Sequence, residues 1–188
     1  METLGVSIRR ATAADADALA EFAGRAFRAT YGPAADPATG GGSRADDVEA
    51  YVAAHFGPAH QAAELADPGL VTLLGLEAES RVAAYAQVAC PAAPGGDAEL
   101  AGLYVAPPWH GRGVARALLA AAVRVAAAVR VARDDGAARL RLAVYQRNRR
   151  AVAFYRRQGF AATGTAEFQL GAERQADWIM VLPLSCPA

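Results

Sequence analysis

The chain has 188 residues, which is enough for one domain with a full core and too few to predict two. Its 19 basic and 19 acidic side chains balance, so no global basic field indicates nucleic acid and no acidic excess indicates disorder. Cys90 and Cys186 lie far apart, and His55 and His60 have no acidic or thiol ligand grouped with them. We therefore predict one domain over 1–188, without a metal, in a reducing compartment.

The N-terminus lacks the long apolar core and small-residue cleavage site of a signal peptide, so no export is expected. The most apolar long segment, 114–132, contains Arg116, Arg124 and Arg130, which would be costly at the centre of a membrane. The expected location is cytoplasmic, without membrane contact.

The first half of the chain alternates regular elements with a glycine- and proline-rich loop. A strand is predicted over 6–9, followed by a helix capped near Thr12 and ending at Phe27. Glycine and proline oppose regular structure in the loop over about 32–44, where we expect flexibility. A second helix is predicted over 46–56.

The second half predicts a sheet with helices between its strands. Expected strands cover 70–76, 82–90, 100–105, 140–144, 163–170 and 177–182, and expected helices run from 114 to about 134–136 and from 148 to 158. The first two of these strands predict an antiparallel hairpin. Alternation at the centre with flanking hairpins favours an α/β fold with a mixed, mostly antiparallel sheet and helices on both faces.

The stretch over 99–115 organises the rest: an apolar strand passes through prolines into His110-Gly111-Arg112-Gly113 and then into a helix. Free N–H groups at a helix start, together with the macrodipole, suit an anion such as a pyrophosphate. A plain strand-to-helix connection has the same pattern. Arg116 replaces the third glycine of a dinucleotide fingerprint, and the Walker A ending is absent, so both common nucleotide motifs are disfavoured.

The stretch resembles the acyl-CoA loop of the GNAT N-acetyltransferases, in which Gln or Arg is followed by two variable residues, Gly, a variable residue, and Gly or Ala. His110 departs from the first position. A second GNAT signature appears downstream as Asn148, Ala151, Phe154-Tyr155 and Gly159-Phe160. The resemblance implies the GNAT fold for nearly the whole chain.

The resemblance also implies acetyl-CoA as the acyl donor. The backbone of Leu103, Tyr104 and Val105 would form the slot for the pantetheine arm, and Asn148 would bond that arm. The residues expected to bind the pyrophosphate end of the cofactor are His110, Gly111, Arg112, Gly113, Val114 and Ala115.

Two residues are the catalytic candidates. Tyr155 matches the family tyrosine that protonates the departing thiolate, although core packing beside Phe154 is the alternative. Glu99 lies where many relatives keep a general base, and an exposed acid at a strand end is its alternative. Tyr31 and Tyr85 are expected to line the acceptor pocket, unless they serve only in packing.

The predicted function is acetyl-CoA-dependent transfer of an acetyl group directly to a primary amine of a small molecule. Looser similarity to the bacterial polyamine acetyltransferases, carried by Tyr31-Gly32 and a segment from Phe168 to Met180, suggests a polyamine. Acetylation of a protein or peptide, and acyl-CoA binding without turnover, are the alternatives. The expected partner is the small amine, with no nucleic acid, and a homodimer is left open.

Overall fold

The computed structural model describes residues 5–39, 41–90, 96–132 and 139–184. The strands are β1 (Ser7–Arg10), β2 (Leu70–Leu76), β3 (Val82–Ala89), β4 (Ala98–Val105), β5 (Arg139–Tyr145), β6 (Ala161–Leu170) and β7 (Glu173–Pro183). The helices are α1 (Ala16–Tyr31), α2 (Ala45–His55), α3 (Pro58–Ala66), α4 (Val114–Ala132) and α5 (Arg149–Arg157), and a short 3-10 turn, Pro107–Trp109, follows β4.

All seven strands form one sheet in the order β1-β2-β3-β4-β5-β7-β6. Neighbouring strands are antiparallel except β4 and β5, which confirms the predicted mixed, mostly antiparallel sheet. The recorded pairing of β4 with β5 is confined to Ala98–Leu140 and Glu99–Arg141. Beyond Glu99 the two strands separate, and a gap opens between the second half of β4 and the end of β5.

A bulge marks the place where β4 leaves β5. Gln87 pairs with Gly102, whereas the next residue, Val88, pairs with Leu100, so Ala101 is an extra residue in β4. A bulge bends its strand and increases the local twist. The bulge at Ala101 therefore lies where the second half of β4 leaves β5.

Both faces of the sheet are covered by helices, as predicted. Leu73 and Leu74 are neighbours on β2 and point to opposite faces. Leu73 packs in a cluster with Leu118 of α4, whereas Leu74 packs with Leu19 of α1. The sheet is thus the middle layer of three.

The loop between α1 and α2 returns to the helix end it started from. Gly42 N–H donates to Gly32 O at 3.1 Å, and Ser43 N–H donates to Tyr31 O at 3.0 Å. The Thr39 hydroxyl, in a residue only 2% exposed, donates to Thr30 O at 3.1 Å. These bonds hold the loop close to α1, and the flexibility expected over 32–44 stays a prediction.

The largest differences from the sequence prediction concern α3, α1 and β7. Helix α3 was not predicted, because its Ala-rich sequence shows no stripe of large apolar residues, and Gln61 is its one recorded buried residue. Helix α1 continues to Tyr31, and β7 begins at Glu173 rather than 177. The predicted helix end at 134–136 and Cys186 lie outside the described residues.

No described helix has the length and apolarity that a membrane span requires.

Candidate active site

A cavity of about 1440 Å³ occupies the gap between β4 and β5 and extends over the α1 face of the sheet. It receives side chains from both separating strands, from the glycine loop and from α1 and α5. Predicted site residues that line it are Tyr31, Tyr85, Leu103, Tyr104, Val105, His110, Gly111, Gly113, Ala115, Asn148 and Tyr155. Residues distant in sequence therefore meet in one space.

Two predicted loop residues do not line this cavity. Val114 is 1% exposed and packs in the α4 core, so it can meet a ligand only through its backbone. The Arg112 guanidinium lies 5.4 Å from the ring centroid of Trp109, in a cation–π contact.

The glycine loop has the backbone conformation that its sequence predicts. Gly111 and Gly113 have φ of +74° and +82°, and a Cβ at either position would meet nothing within 4 Å, so both border open space. The Arg112 N–H donates to Trp109 O at 3.4 Å, and Ala117 N–H donates to Gly113 O at 3.0 Å. The N–H groups between them have no intrahelical acceptor and suit an anion.

His110 supports this loop with its side chain. Its Nε2 lies 2.7 Å from Val105 O, and its Nδ1 lies 3.3 Å from Nη1 of Arg150 on α5. Because arginine only donates, Nδ1 is the acceptor in its contact with Arg150, and Nε2 donates to Val105 O. The sequence analysis did not predict this bridge between the loop, β4 and α5.

Helix α5 is capped at both ends, which fixes the tyrosine it carries. Asn148 is the N-cap, and its Oδ1 accepts from Ala151 N–H at 3.0 Å. Gly159 has φ of +92°, and Phe160 N–H donates to Tyr155 O at 3.1 Å. The cap uses one lone pair of Oδ1, so a contact between Asn148 and a ligand can use Nδ2 or the second lone pair of Oδ1.

Tyr155 is both a core residue and a cavity residue. It is 7% exposed, and its ring lies 5.2 Å from Phe154 and 5.5 Å from Phe160. Burial, and then the charge of Tyr104, raise the pKa of Tyr155, so it keeps its proton at neutral pH. The two alternatives considered from the sequence therefore coexist geometrically.

Aromatic rings form the wall opposite the glycine loop. Tyr85 stacks on Tyr104 with centroids 5.4 Å apart, and Tyr31 lies 4.5 Å from Phe27 and 6.2 Å from Phe168. Burial is the largest cause of the raised pKa of Tyr104, and a hydrogen bond with Tyr31 opposes part of that rise. Tyr31 and Tyr104 therefore lie close to each other on the cavity wall.

A comparison with protein families settles what kind of protein carries this cavity. The model of the acetyltransferase (GNAT) family matches residues 43–160, from the start of α2 to the end of the α5 cap. The chain belongs to the GNAT family. It is therefore an N-acetyltransferase, as predicted.

Similar proteins agree with this membership. Uncharacterized N-acetyltransferases of Mycobacterium bovis and Mycobacterium tuberculosis are each 35% identical to this GNAT chain over 170 residues, covering 90% of it and 98% of the relative. The fold resembles a GCN5-related N-acetyltransferase from Rhodopseudomonas palustris, with a TM-score of 0.69, 23% identity, and 98% and 99% of the two chains covered. It also resembles Arabidopsis thaliana NAA60 in complex with acetyl-CoA, with a TM-score of 0.70, 11% identity, and 95% and 98% covered.

Glu99 stands apart from the other candidates of this GNAT enzyme. It is the second residue of β4, and its Oε2 lies 2.9 Å from Nη2 of Arg141 on β5. Glu99 is not among the described residues that line the cavity. Its role as general base stays a prediction.

The sequence reasoning missed acidic residues that do line the cavity, among them Asp177 and Glu64. Asp177 lies on β7 opposite Tyr145 of β5 and Ala166 of β6, on the same strand face as the buried Gln175. Its signal in the sequence was an acid at an inward position of an alternating strand. Glu64 belongs to α3, the helix that was not predicted.

Proposed function

We propose that this GNAT enzyme transfers the acetyl group of acetyl-CoA directly to a primary amine of a small cationic molecule, with a polyamine as the leading candidate. The observation that carries the proposal is one cavity with two unlike halves. A glycine loop with free N–H groups borders one half, and aromatic rings with an acid border the other. One half suits a phosphate-bearing donor, and the other suits an ammonium ion.

The donor half fits acetyl-CoA in shape and charge. Open space at Gly111 and Gly113 leaves room for a pyrophosphate against the start of α4. The second half of β4, including Leu103 and Val105, has a backbone edge facing the gap, and amide groups there can bond the pantetheine arm. When bound, acetyl-CoA supplies an activated thioester carbonyl beside this edge.

Tyr155 is the proposed general acid. It lines the gap, and because its pKa is raised it remains protonated while the amine attacks. Its hydroxyl can then give a proton to the departing thiolate. Backbone N–H groups of β4 would polarise the carbonyl and stabilise the negative charge that develops on its oxygen.

The acceptor half favours a cation. The faces of Tyr31, Tyr104 and Phe168 are electron-rich and attract an ammonium group, at about 0.5 to 2 kcal/mol for each good contact. Glu64 and Asp177 add negative charge to the same walls. A flexible chain with several ammonium groups matches such a surface better than a neutral amine does.

The test is a thiol-release assay with acetyl-CoA against a panel of spermidine, putrescine, lysine, a neutral arylamine and a peptide with a free N-terminus. We expect thiol release with the polyamines, together with mass gain of one acetyl group on the amine. Reactions without an acceptor control for thioester hydrolysis, and the Tyr155→Phe variant controls for a contaminating transferase.

Each other outcome has a defined meaning. Acetylation of the peptide alone would overturn the small-molecule proposal and support a peptide acetyltransferase. Calorimetric binding of acetyl-CoA without thiol release on any amine would favour a protein that only binds the acyl donor.

A further inference from the structure

The acceptor half of the cavity contains one carboxyl group whose bonding differs from that of its neighbours. Asp177 is half-buried on β7, and its Oδ1 is fully buried without a hydrogen-bond partner among the described residues. A buried carboxylate oxygen without a partner is costly, so such groups are rare in a well-packed fold. Asp177 as a whole is only half-buried and lines the cavity, so a cation in the cavity can approach this carboxyl group and offset part of the cost.

The other acids that line the cavity are already engaged. Glu64 Oε2 accepts from both Gln61 and Gln87 at 2.9 Å, and its Oε1 lies 3.2 Å from His60 Nε2. Two further acids are held locally: Glu77 by Arg81 and the Trp109 indole, and Asp36 by the Ala38 N–H. Asp177 is thus the cavity acid best placed to receive a new donor.

The surroundings of Asp177 favour a cation from the substrate. Burial is the largest cause of the raised pKa values of Tyr31 on α1 and Tyr104 on β4. The negative charge of Asp177 raises both pKa values further. Tyr145 of β5 faces Asp177 across the strand pair, and Ala166 is its partner on β6. Tyr31 and Tyr104, whose pKa values are raised, are neutral at neutral pH, so a positive charge on the substrate would meet Asp177 without competition from them.

We propose that Asp177 binds the ammonium group of the acceptor amine and takes its proton, which makes it the general base of the reaction. This inference rests on the proposed function. In the step, the carboxylate accepts one proton from R–NH3+ to give R–NH2 and the neutral acid. The amine nitrogen then bonds to the acetyl carbon as the carbon–sulfur bond breaks.

The remaining protons balance as follows. The thiolate receives a proton from Tyr155, and Tyr155 recovers it from the nitrogen as the amide forms. The proton held by Asp177 passes to solvent, so the sum is R–NH3+ and acetyl-CoA giving the acetamide, CoA and one proton.

The environment of Asp177 suits this exchange better than that of an ordinary surface acid. Burial raises the pKa of Asp177 to about 6, which narrows the difference from an alkylammonium group at about 10. Glu99, the base predicted from the sequence, is instead bonded to Arg141 outside the cavity. Burial makes the charged carboxylate of Asp177 unfavourable in free energy. The same burial raises the pKa of Asp177 toward that of the amine, which favours proton transfer.

The experiment compares Asp177→Asn with Glu99→Gln and with Asp17→Asn, an exposed acid on α1, using whichever primary amine the wild type acetylates. At pH 7.5 we expect Asp177→Asn to lower kcat/KM for the amine at least about 100-fold. The affinity for CoA should stay at the wild-type value, and the Tm should not fall below that of the wild type, because no described residue donates to Oδ1 of the carboxylate.

The pH profile separates a base from a merely structural residue. In the wild type, kcat/KM for the amine should be level between about pH 6 and the pKa of the amine, and should fall below pH 6 as Asp177 protonates. In Asp177→Asn only the free amine reacts, so kcat/KM should rise about tenfold per pH unit up to the amine pKa. Asp17→Asn should keep the wild-type profile.

The outcomes distinguish the two proposals. If Asp177→Asn keeps the wild-type rate and level profile while Glu99→Gln shows the steep one, the Asp177 assignment is overturned and the proposed function stands. If the wild type acetylates only peptides, the small-molecule proposal falls, and the same variants still test Asp177 on the peptide amine. If no amine is acetylated, both proposals fall.

Discussion

At the scale of single residues, the hydroxyl of Tyr155 is the atom whose removal is most informative. Tyr155→Phe keeps the ring between Phe154 and Phe160 and deletes only the proton donor. We expect kcat to fall by roughly 100- to 10,000-fold, with little change in acetyl-CoA affinity. Steady-state kinetics and calorimetry measure the two quantities.

Folding has to be measured on the same variant. A Tm close to that of the wild type, with the expected loss of kcat, assigns the hydroxyl to chemistry. A large fall in Tm with proportionate loss of activity would support the packing role, and full activity would remove Tyr155 from the mechanism.

Asp177 predicts an unusual dependence of stability on pH. Burial raises the pKa of Asp177 to about 6, above its ordinary value near 4, so the folded state binds the proton more tightly than the unfolded state does. Protonation therefore stabilises the fold, and this stabilisation is lost as the pH rises from about 4 to about 6. Asp177→Asn removes the charge permanently.

The Tm of Asp177→Asn should therefore exceed that of the wild type at pH 8, and the difference should shrink as the pH falls to about 4. Thermal unfolding over this range, without ligand, measures it. A wild type more stable than the variant at pH 8 would show that the carboxylate has a stabilising partner.

At the scale of elements, the start of α5 combines a cap with a predicted ligand contact, and two substitutions separate them. Asn148→Asp keeps a carbonyl-type oxygen for Ala151 N–H, whereas Asn148→Ala removes the cap at a cost of about 0.5 to 2 kcal/mol. We expect Asn148→Asp to keep the Tm and raise the KM for acetyl-CoA, because the amide donor is lost. An unchanged KM would leave Asn148 with the cap alone.

The start of α4 provides a second test at this scale. Gly113→Val places a branched side chain at φ of +82° and fills the space beside the free N–H groups. We expect the Kd for CoA to rise at least tenfold, equivalent to about 1.4 kcal/mol. The control is Gly57→Ala, where φ is −70° and the new Cβ would lie 3.7 Å from Ala53 O, an ordinary contact.

Calorimetry with CoA on the folded variants tests whether the pyrophosphate binds beside Gly113. Wild-type affinity in Gly113→Val would show that the pyrophosphate binds elsewhere. Reduced affinity in the control as well would mean that the assay reports general damage.

These elements also show which features are readable from sequence. The glycine loop and the α5 caps depend on residues a few positions apart, so a local sequence pattern could predict them. The bridge from His110 to Arg150 and the pair of Arg141 with Glu99 join residues 40 and 42 positions apart, and only the folded sheet brings them together. Asp177 was missed for the same reason, since its burial depends on α1 and β4.

At the scale of the whole molecule, the site is a consequence of an incomplete sheet. A mixed, mostly antiparallel sheet could be expected from the alternating pattern and the family resemblance, and it was found. The separation of β4 from β5 coincides with the bulge at Ala101, and no local sequence signal predicted that extra residue. The cavity is therefore a property of the topology, to which individual side chains contribute chemistry.

This architecture predicts how the donor should alter backbone dynamics. If the pantetheine arm bonds the open edge of β4, acetyl-CoA should slow hydrogen exchange most in peptides covering 100–105 and 111–117, by about tenfold or more. The segment 70–76 is the internal control, because β2 is already paired on both sides by β1 and β3.

Binding also stabilises the whole fold, by about 2.7 kcal/mol at 100 times Kd, so globally exchanging amides will slow as well. The comparison is therefore made on amides that exchange by local opening, with and without acetyl-CoA. Equal protection of β2 and β4 among those amides would show that the ligand does not use the strand edge, and the donor slot would have to be placed elsewhere in the cavity.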